Sequence, residues 1–420
     1  MDCAGEPDVL RMLRRATRAL LWALGATSCR GIVDANTPGV VTAGQVDALN
    51  DARTLSLSAR QNFATAFGQY VIYGAWFSGE AIAAETQIGP SEFERRDVTA
   101  QNPDLLGLWT SLSVARESAE RVVVSIDARA PGPLQVDRAR AALFAAYSYL
   151  VMAEHYCSGR VDGGQLLTTD DMLDRAVDYF GRARQAALAG LHGTGATDST
   201  EAVSIATGAL VGRARAELQR GALADAASDA SAVPADFSIS LWYADDPAEL
   251  PRLGNALWYH TVLRATLSIA TPFRGLNDPR VPVAAPNSAF PPFDGITPLW
   301  TQCKYTSYDA PIRLASGLEA RYVSAEARGT SAMLALVQER RNASGLAAYS
   351  GPTDSVSIVR EFLNQRGREF FLEGKRVGDS RRHPGLVTGV PEPGSSYHKP
   401  GYPPIGDQSC WPLPDKETNP

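Results

Sequence analysis

Apolar positions along this chain recur mostly at steps of three and four residues, the period of an amphipathic helix, and seldom alternate as a half-buried strand requires. Over 45–73 the anchors are Leu49, Leu57, Phe63, Phe67 and Tyr70. Over 105–126 they are Leu105, Leu108, Trp109, Leu112, Ala115 and Ala119. Beyond Asp137 the pattern repeats: Leu143, Ala146, Leu150 and Ala153 mark one helical face, and Leu173, Ala176, Val177, Phe180, Ala183 and Ala187 the next. Ile205, Ala209 and Leu210 mark a third, and Leu223, Ala226, Ala227 and Ala230 a fourth, stopped by Pro234. Alanine lets helices approach closely, so antiparallel hairpins stacked as in tetratricopeptide (TPR) arrays are expected over about 137–234, without the full repeat consensus. A plain alanine-rich bundle is the alternative.

The middle of the chain breaks this period. Residues 272–311 hold eight prolines together with Phe273, Phe290, Phe293, Trp300, Tyr305 and Tyr308. Proline fixes φ and removes a backbone donor, which excludes regular helix. Six aromatics argue against disorder, and long ordered loops in compact domains usually carry function. Helix is expected again over 311–328, 331–341 and from 355 to about 376, the last capped by Asp354 or Ser355. From Pro384 the tail holds nine prolines and reads as extended coil wrapped on the body. No run of alternating strands supports a sheet-based fold. The fold class is therefore mainly α, with TPR-like hairpins in an α-superhelix and an irregular, loop-rich second half.

Charge and the chain start narrow the class. Lys and Arg total 40 against 46 Asp and Glu, a net charge of −6. Without a basic face, nucleic acid is not the expected partner. Arg11, Arg14, Arg15 and Arg18 precede the apolar run 19–26, and the small residues Thr27 and Ser28 lead to Cys29. This is the layout of a lipoprotein signal, 1–28, with Cys29 as the lipidated residue. Acidic Asp2, Glu6 and Asp8 make Met12 a candidate start, and Ala26 stands where a lipobox usually has Leu. Removing 1–28 leaves 36 basic and 43 acidic residues, so the exported chain stays acidic. Cys157, Cys303 and Cys410 show no metal or redox spacing. Two of the three are expected to pair; three buried thiols are the alternative. The five histidines form no HExxH pair, and Walker A, GxGxxG and GxSxG motifs are absent, so no catalytic residue, metal or cofactor is assigned.

Three segments in order bring a family into view. Residues 362–382, FLNQRGREFFLEGKRVGDSRR, resemble the signature helix of SusD/RagB proteins, with Arg366, Arg368, Glu369, Glu373, Gly374, Arg376, Asp379 and Arg381 matching. Gly367 replaces a usual Arg, Val377-Gly378 a usual aromatic pair, and Ser380 a usual Leu. Asn277-Asp-Pro-Arg-Val281, Lys304-Tyr305 and Ile312-Arg-Leu314 resemble further family segments, as does the close Trp411-Pro-Leu-Pro-Asp-Lys-Glu417 with Asn419-Pro420. On the helix itself Glu369 and Glu373 lie four apart, with Arg366 and Arg376 flanking them. That pattern reads as a structural ion-pair lattice. A general acid and base would need one raised carboxyl pKa, which neighbouring arginines oppose.

The resemblance implies a non-catalytic, lipid-anchored outer-membrane protein that binds oligosaccharide, or sometimes peptide, as the lid of a SusC-like TonB-dependent β-barrel transporter. It implies regions 29–250 and 251–420, the second carrying the ligand loops and the signature helix 355–382. Rival classes are a secreted α-helical glycoside hydrolase and a TPR-type scaffold of an outer-membrane complex. Sugar rings stack on flat aromatics while their hydroxyls need polar neighbours. Phe293, Trp300, Tyr305 and Tyr308 in the proline-rich loop, and Trp76 beside Tyr73 and Phe77, are the expected ligand contacts.

Overall fold

The helical period of the sequence is realised from Ala52 onward in the computed structural model, which describes residues 51–128, 132, 134–191, 196–249 and 252–418. The leader 1–28, the alternative start at Met12 and the lipidation candidate Cys29 lie outside the described residues. The first half contains α1 (Ala52–Phe77), β1 (Ala81–Ala83), α2 (Ile88–Glu94), α3 (Pro103–Asp127) and α4 (Gln135–His155). β2 (Ser158–Arg160), β3 (Leu166–Thr168), α5 (Thr169–Gly190), α6 (Ala196–Gln219), α7 (Leu223–Ser231) and β4 (Ser238–Leu241) follow. The second half contains α8 (Ala256–Trp258), β5 (Leu267–Ile269), β6 (Val283–Ala284), β7 (Thr301–Gln302) and β8 (Ile312–Ser316). It continues with α9 (Gly317–Arg328), α10 (Thr330–Ala343), α11 (Ser355–Glu369), α12 (Arg376–Arg382) and α13 (Asp415–Thr418).

Local chemistry sets the helix starts. Asn102 caps α3 by accepting from the backbone of Asp104 and Leu105, with Pro103 in the first turn where its missing donor costs nothing. Thr168 and Asp171 form a reciprocal capping box on α5, and Asp354 caps α11 as expected. α4 is the central post, buried from Ala139 to His155, with α1, α3, α5 and α6 packed around it. Its alanines permit that approach, and Gly212 on α6 takes it further. A methyl group there would sit 2.2 Å from the Phe180 ring, so only hydrogen fits. Tyr147 meets Phe180 edge-on and donates to the Gly208 carbonyl at 3.0 Å. The fold is mainly α, with TPR-like helical hairpins.

Three elements differ from expectation. Residues 312–316, read as helix, form strand β8, in which Ile312 and Leu314 point inward while Arg313 points away. It pairs antiparallel with β4, and Ser316 then caps α9. The helix expected to run to about 376 stops at Glu369, with Leu372 and Gly374 both at positive φ before α12 begins. The loop region, finally, is pinned by short ribbons, β1 with β5 and β6 with β7. Because β1 and β4 pair with β5 and β8, strand ribbons join the region before residue 250 to the region after it.

The tail is fastened to the helical half. Cys157 and Cys410 form a disulfide across 253 residues of sequence. Beside it Tyr156 and Trp411 make a parallel bridge. Trp411 is fully buried among Tyr70, Phe77, Phe93, His155 and Tyr156.

Candidate functional site

The signature residues surround the break between α11 and α12. Ending a helix inside a core frees carbonyls that need donors, and long side chains from elsewhere supply them. Arg313 donates to Glu369 O at 2.8 Å, Lys304 to Phe371 O at 2.7 Å, the Tyr305 hydroxyl to Leu372 O at 2.9 Å and Arg215 to Gly374 O at 3.1 Å. Leu372 N–H in turn donates to the Glu80 carboxyl at 2.8 Å.

The expected lattice is present, but its partners are distant in sequence. Glu369 pairs with Arg280 and Arg340, and Glu373 with Lys304 and Arg313. Arg366 pairs with Asp379 at 2.9 Å, and Arg368 approaches Asp278 at 3.5 Å. Arg376 donates to the carbonyls of Ser78 and Thr388, and Arg381 to those of Ala153 and Tyr156. Burial alone would raise the Asp379 and Glu319 carboxyls. Arg366 and Arg382 beside the first, and Lys375 and Arg215 beside the second, hold both below the usual range. Glu80 is the exception: burial outweighs Arg376 and pushes it up to about 7. At 3% exposure it is closed off from any substrate.

The aromatics expected to contact ligand divide between core and surface. Trp76 and Tyr305 are 1% and 3% exposed and belong to the core, which corrects their placement on the surface. Trp76 packs edge-on against Tyr73, and Tyr305 is spent on the Leu372 carbonyl. Trp300 is half-buried under the Arg274 guanidinium, and Tyr308 lies against Trp258. Phe293 is 49% exposed, with Arg264 above its ring at 5.3 Å.

Around Phe293 four distant segments converge into a loop face. Ala84 N–H donates to Thr266 O at 2.8 Å, and Phe293 N–H to Ala265 O at 2.9 Å. Ala84, Ala265, Leu299 and Phe290 form a small apolar cluster beneath. Lys399 from the tail donates to Glu85 O and pairs with Asp294 at 3.0 Å, while Arg264 reaches Glu85 at 3.7 Å. Asp294 also accepts from the Ile296 and Thr297 backbones and the Thr297 hydroxyl. Burial would raise this carboxyl, but those bonds and Lys399 hold it low, as a fixed anion. Ile296, on the turn held by Asp294, lies 64% exposed. The face thus offers the Phe293 ring and Ile296 beside the part-exposed Arg264 guanidinium, on loops held in place by the buried Asp294–Lys399 pair and by Glu85, a surface on which a ring can stack. Of its residues only Phe293 was expected from sequence. Glu85, Arg264 and Lys399 gave no signal, because their meeting depends on strand pairing and tail docking. Among the described residues no His, Cys, Asp and Glu group is arranged to hold a metal ion, and no helix is long and apolar enough to cross a membrane.

Neither protein-family profiles nor curated protein sequences match the chain. Solved structures do. A SusD superfamily protein from Bacteroides vulgatus ATCC 8482 superposes with a TM-score of 0.61 at 14% identity, covering 88% of this chain and 96% of that one. A SusD-like carbohydrate binding protein from the same organism gives 0.60 at 13% identity, covering 79% and 82%. Surface glycan-binding protein A from Bacteroides uniformis gives 0.54 at 11% identity, covering 79% and 89%. Likeness at such low identity is a likeness of architecture, and it extends over most of both chains: this protein has the SusD/RagB fold.

Proposed function

We propose that this protein is a non-catalytic glycan-binding lipoprotein of the outer membrane. It captures oligosaccharide on the loop face around Phe293 and passes it to a SusC-like TonB-dependent β-barrel, on which it sits as a lid. The observation that carries the reading is the SusD/RagB fold over most of the chain, with carbohydrate-binding and glycan-binding proteins among the structures that share it. The loop face adds a chemical reason, since its exposed ring and the Arg264 guanidinium sit on loops pinned by buried ion pairs, which need not reorganise on binding. The signature carboxylates are buried and committed to cations, which favours binding over hydrolysis. Lipidation at Cys29 would hold the binder at the barrel mouth, where raised local concentration makes modest affinity sufficient.

The test is calorimetric titration with a panel of neutral hexasaccharides, using wild type and Phe293→Ala. Binding is expected for at least one glycan, without cleavage. The variant should lose roughly tenfold or more in affinity, with its melting temperature nearly unchanged. Release of shorter sugars by wild type, with loss of that activity on replacing a carboxylate pair, would overturn the non-catalytic reading.

A further inference from the structure

A concavity of about 800 Å³ opens between α1, α4, α6 and β4 and shares no lining residue with the loop face. That volume lies within the range of small-ligand sites. Trp242, just after β4, lines it while remaining 66% exposed, the most exposed large apolar side chain among the described residues. An indole left in water forgoes the stabilisation of burial, and in a groove it offers a flat platform to a ring.

The groove's cations are unequally matched. Arg140 is engaged by both Glu201 oxygens at 2.6 Å and by Asp137 at 2.6 Å. Arg53 reaches Asp198 at 3.3 Å. Arg60 is exposed and makes no ion pair with a described residue; desolvation and the charge of Arg140 disfavour its protonated form, against the charge of Glu201, which favours it. A guanidinium in that position gains from an anion. Ser204, Ser238 and Ser240 add hydroxyls along the same wall.

We propose that this groove is a second saccharide site selective for an acidic sugar, with the C–H face of a hexuronate on Trp242 and its carboxylate on Arg60. The proposal rests on the saccharide-binding reading above but concerns a different set of residues. Its probes are tetramers of galacturonate and mannuronate and their methyl esters, which keep the ring and remove the charge. Binding is measured by calorimetry, and oxidation of Trp242 by hydroxyl-radical footprinting.

At least one free-acid tetramer should protect Trp242 and bind roughly tenfold more tightly than its ester. Arg60→Gln should erase that preference and Trp242→Ala should abolish groove binding, both with unchanged melting temperatures. Phe293→Ala should leave the protection intact. If neutral hexasaccharides bind through Phe293 while no uronate protects Trp242, the groove proposal is wrong and the general reading stands. If no saccharide binds either face, both fall. Protection of Trp242 by an acidic peptide but not by uronates would make the groove a peptide site and overturn the proposal.

Discussion

Arg366 shows how a charged side chain survives in a core. It is 1% exposed, pairs with Asp379 and lies over the Phe370 ring. Removing it leaves Asp379 in low dielectric with Arg382, at 2.7 Å, as its remaining cation. Arg366→Met is therefore expected to cost roughly 1.5–3 kcal/mol in denaturant unfolding; a loss below about 1 kcal/mol would show that Arg382 alone compensates Asp379. Gly367, where the family pattern has Arg, becomes intelligible beside it, since a methyl group there would meet the Arg376 guanidinium at 2.9 Å. Glu80 gives a pH signature. Its folded pKa of about 7 lies above that of an unfolded glutamate. The folded state therefore keeps the proton, and the associated stability is full below pH ~4.3 and lost as pH rises through about 7. Glu80→Gln keeps an acceptor for Leu372 N–H but does not titrate. Relative to wild type the variant should gain roughly 3 kcal/mol between pH 4.5 and 8. A stability difference that stays flat across that range would contradict burial as the cause.

At the scale of elements, the sequence was legible wherever periodicity and local capping decide structure, as in α3, α5 and the start of α11. It was opaque where a distant segment decides. Ile312, Arg313 and Leu314 adjoin a helical pattern and read as part of it, yet β4 draws them into a strand. α11 meets no glycine or proline between Glu369 and Gly374, yet it stops at Glu369, where Arg313, Lys304, Tyr305 and Arg215 donate to the carbonyls of the break. These bonds hold Leu372 at φ +54, which local preference disfavours. Trp76 looked exposed at a helix end for the same reason, since the elements that enclose it come from far along the chain. Cysteine counting allowed a disulfide without identifying its members; the pair is Cys157 with Cys410. For a closed loop of 253 residues, chain entropy sets an upper contribution of about 5 kcal/mol. The Cys157→Ser/Cys410→Ser double variant should lose several degrees in melting temperature. An unchanged midpoint would mean that Trp411 docking alone holds the tail.

Across the whole molecule, Trp411 governs when the structure is able to close. It sits among five rings contributed by α1, α2 and the end of α4, yet lies near the far end of the sequence. During synthesis, the amino-terminal helices emerge with that central position vacant, and more than 250 further residues must follow before it is filled. Contacts so remote in sequence form slowly. A ribosome-bound chain halted before residue 411 should therefore remain protease-sensitive throughout α1 and α4, whereas a chain extended beyond it should turn resistant in a single step. Resistance of α1 and α4 in the shorter chain would show that the helical half closes unaided. A segment made late is thus the keystone of helices made long before it, which keeps that part of the nascent polypeptide open until residue 411 has been added.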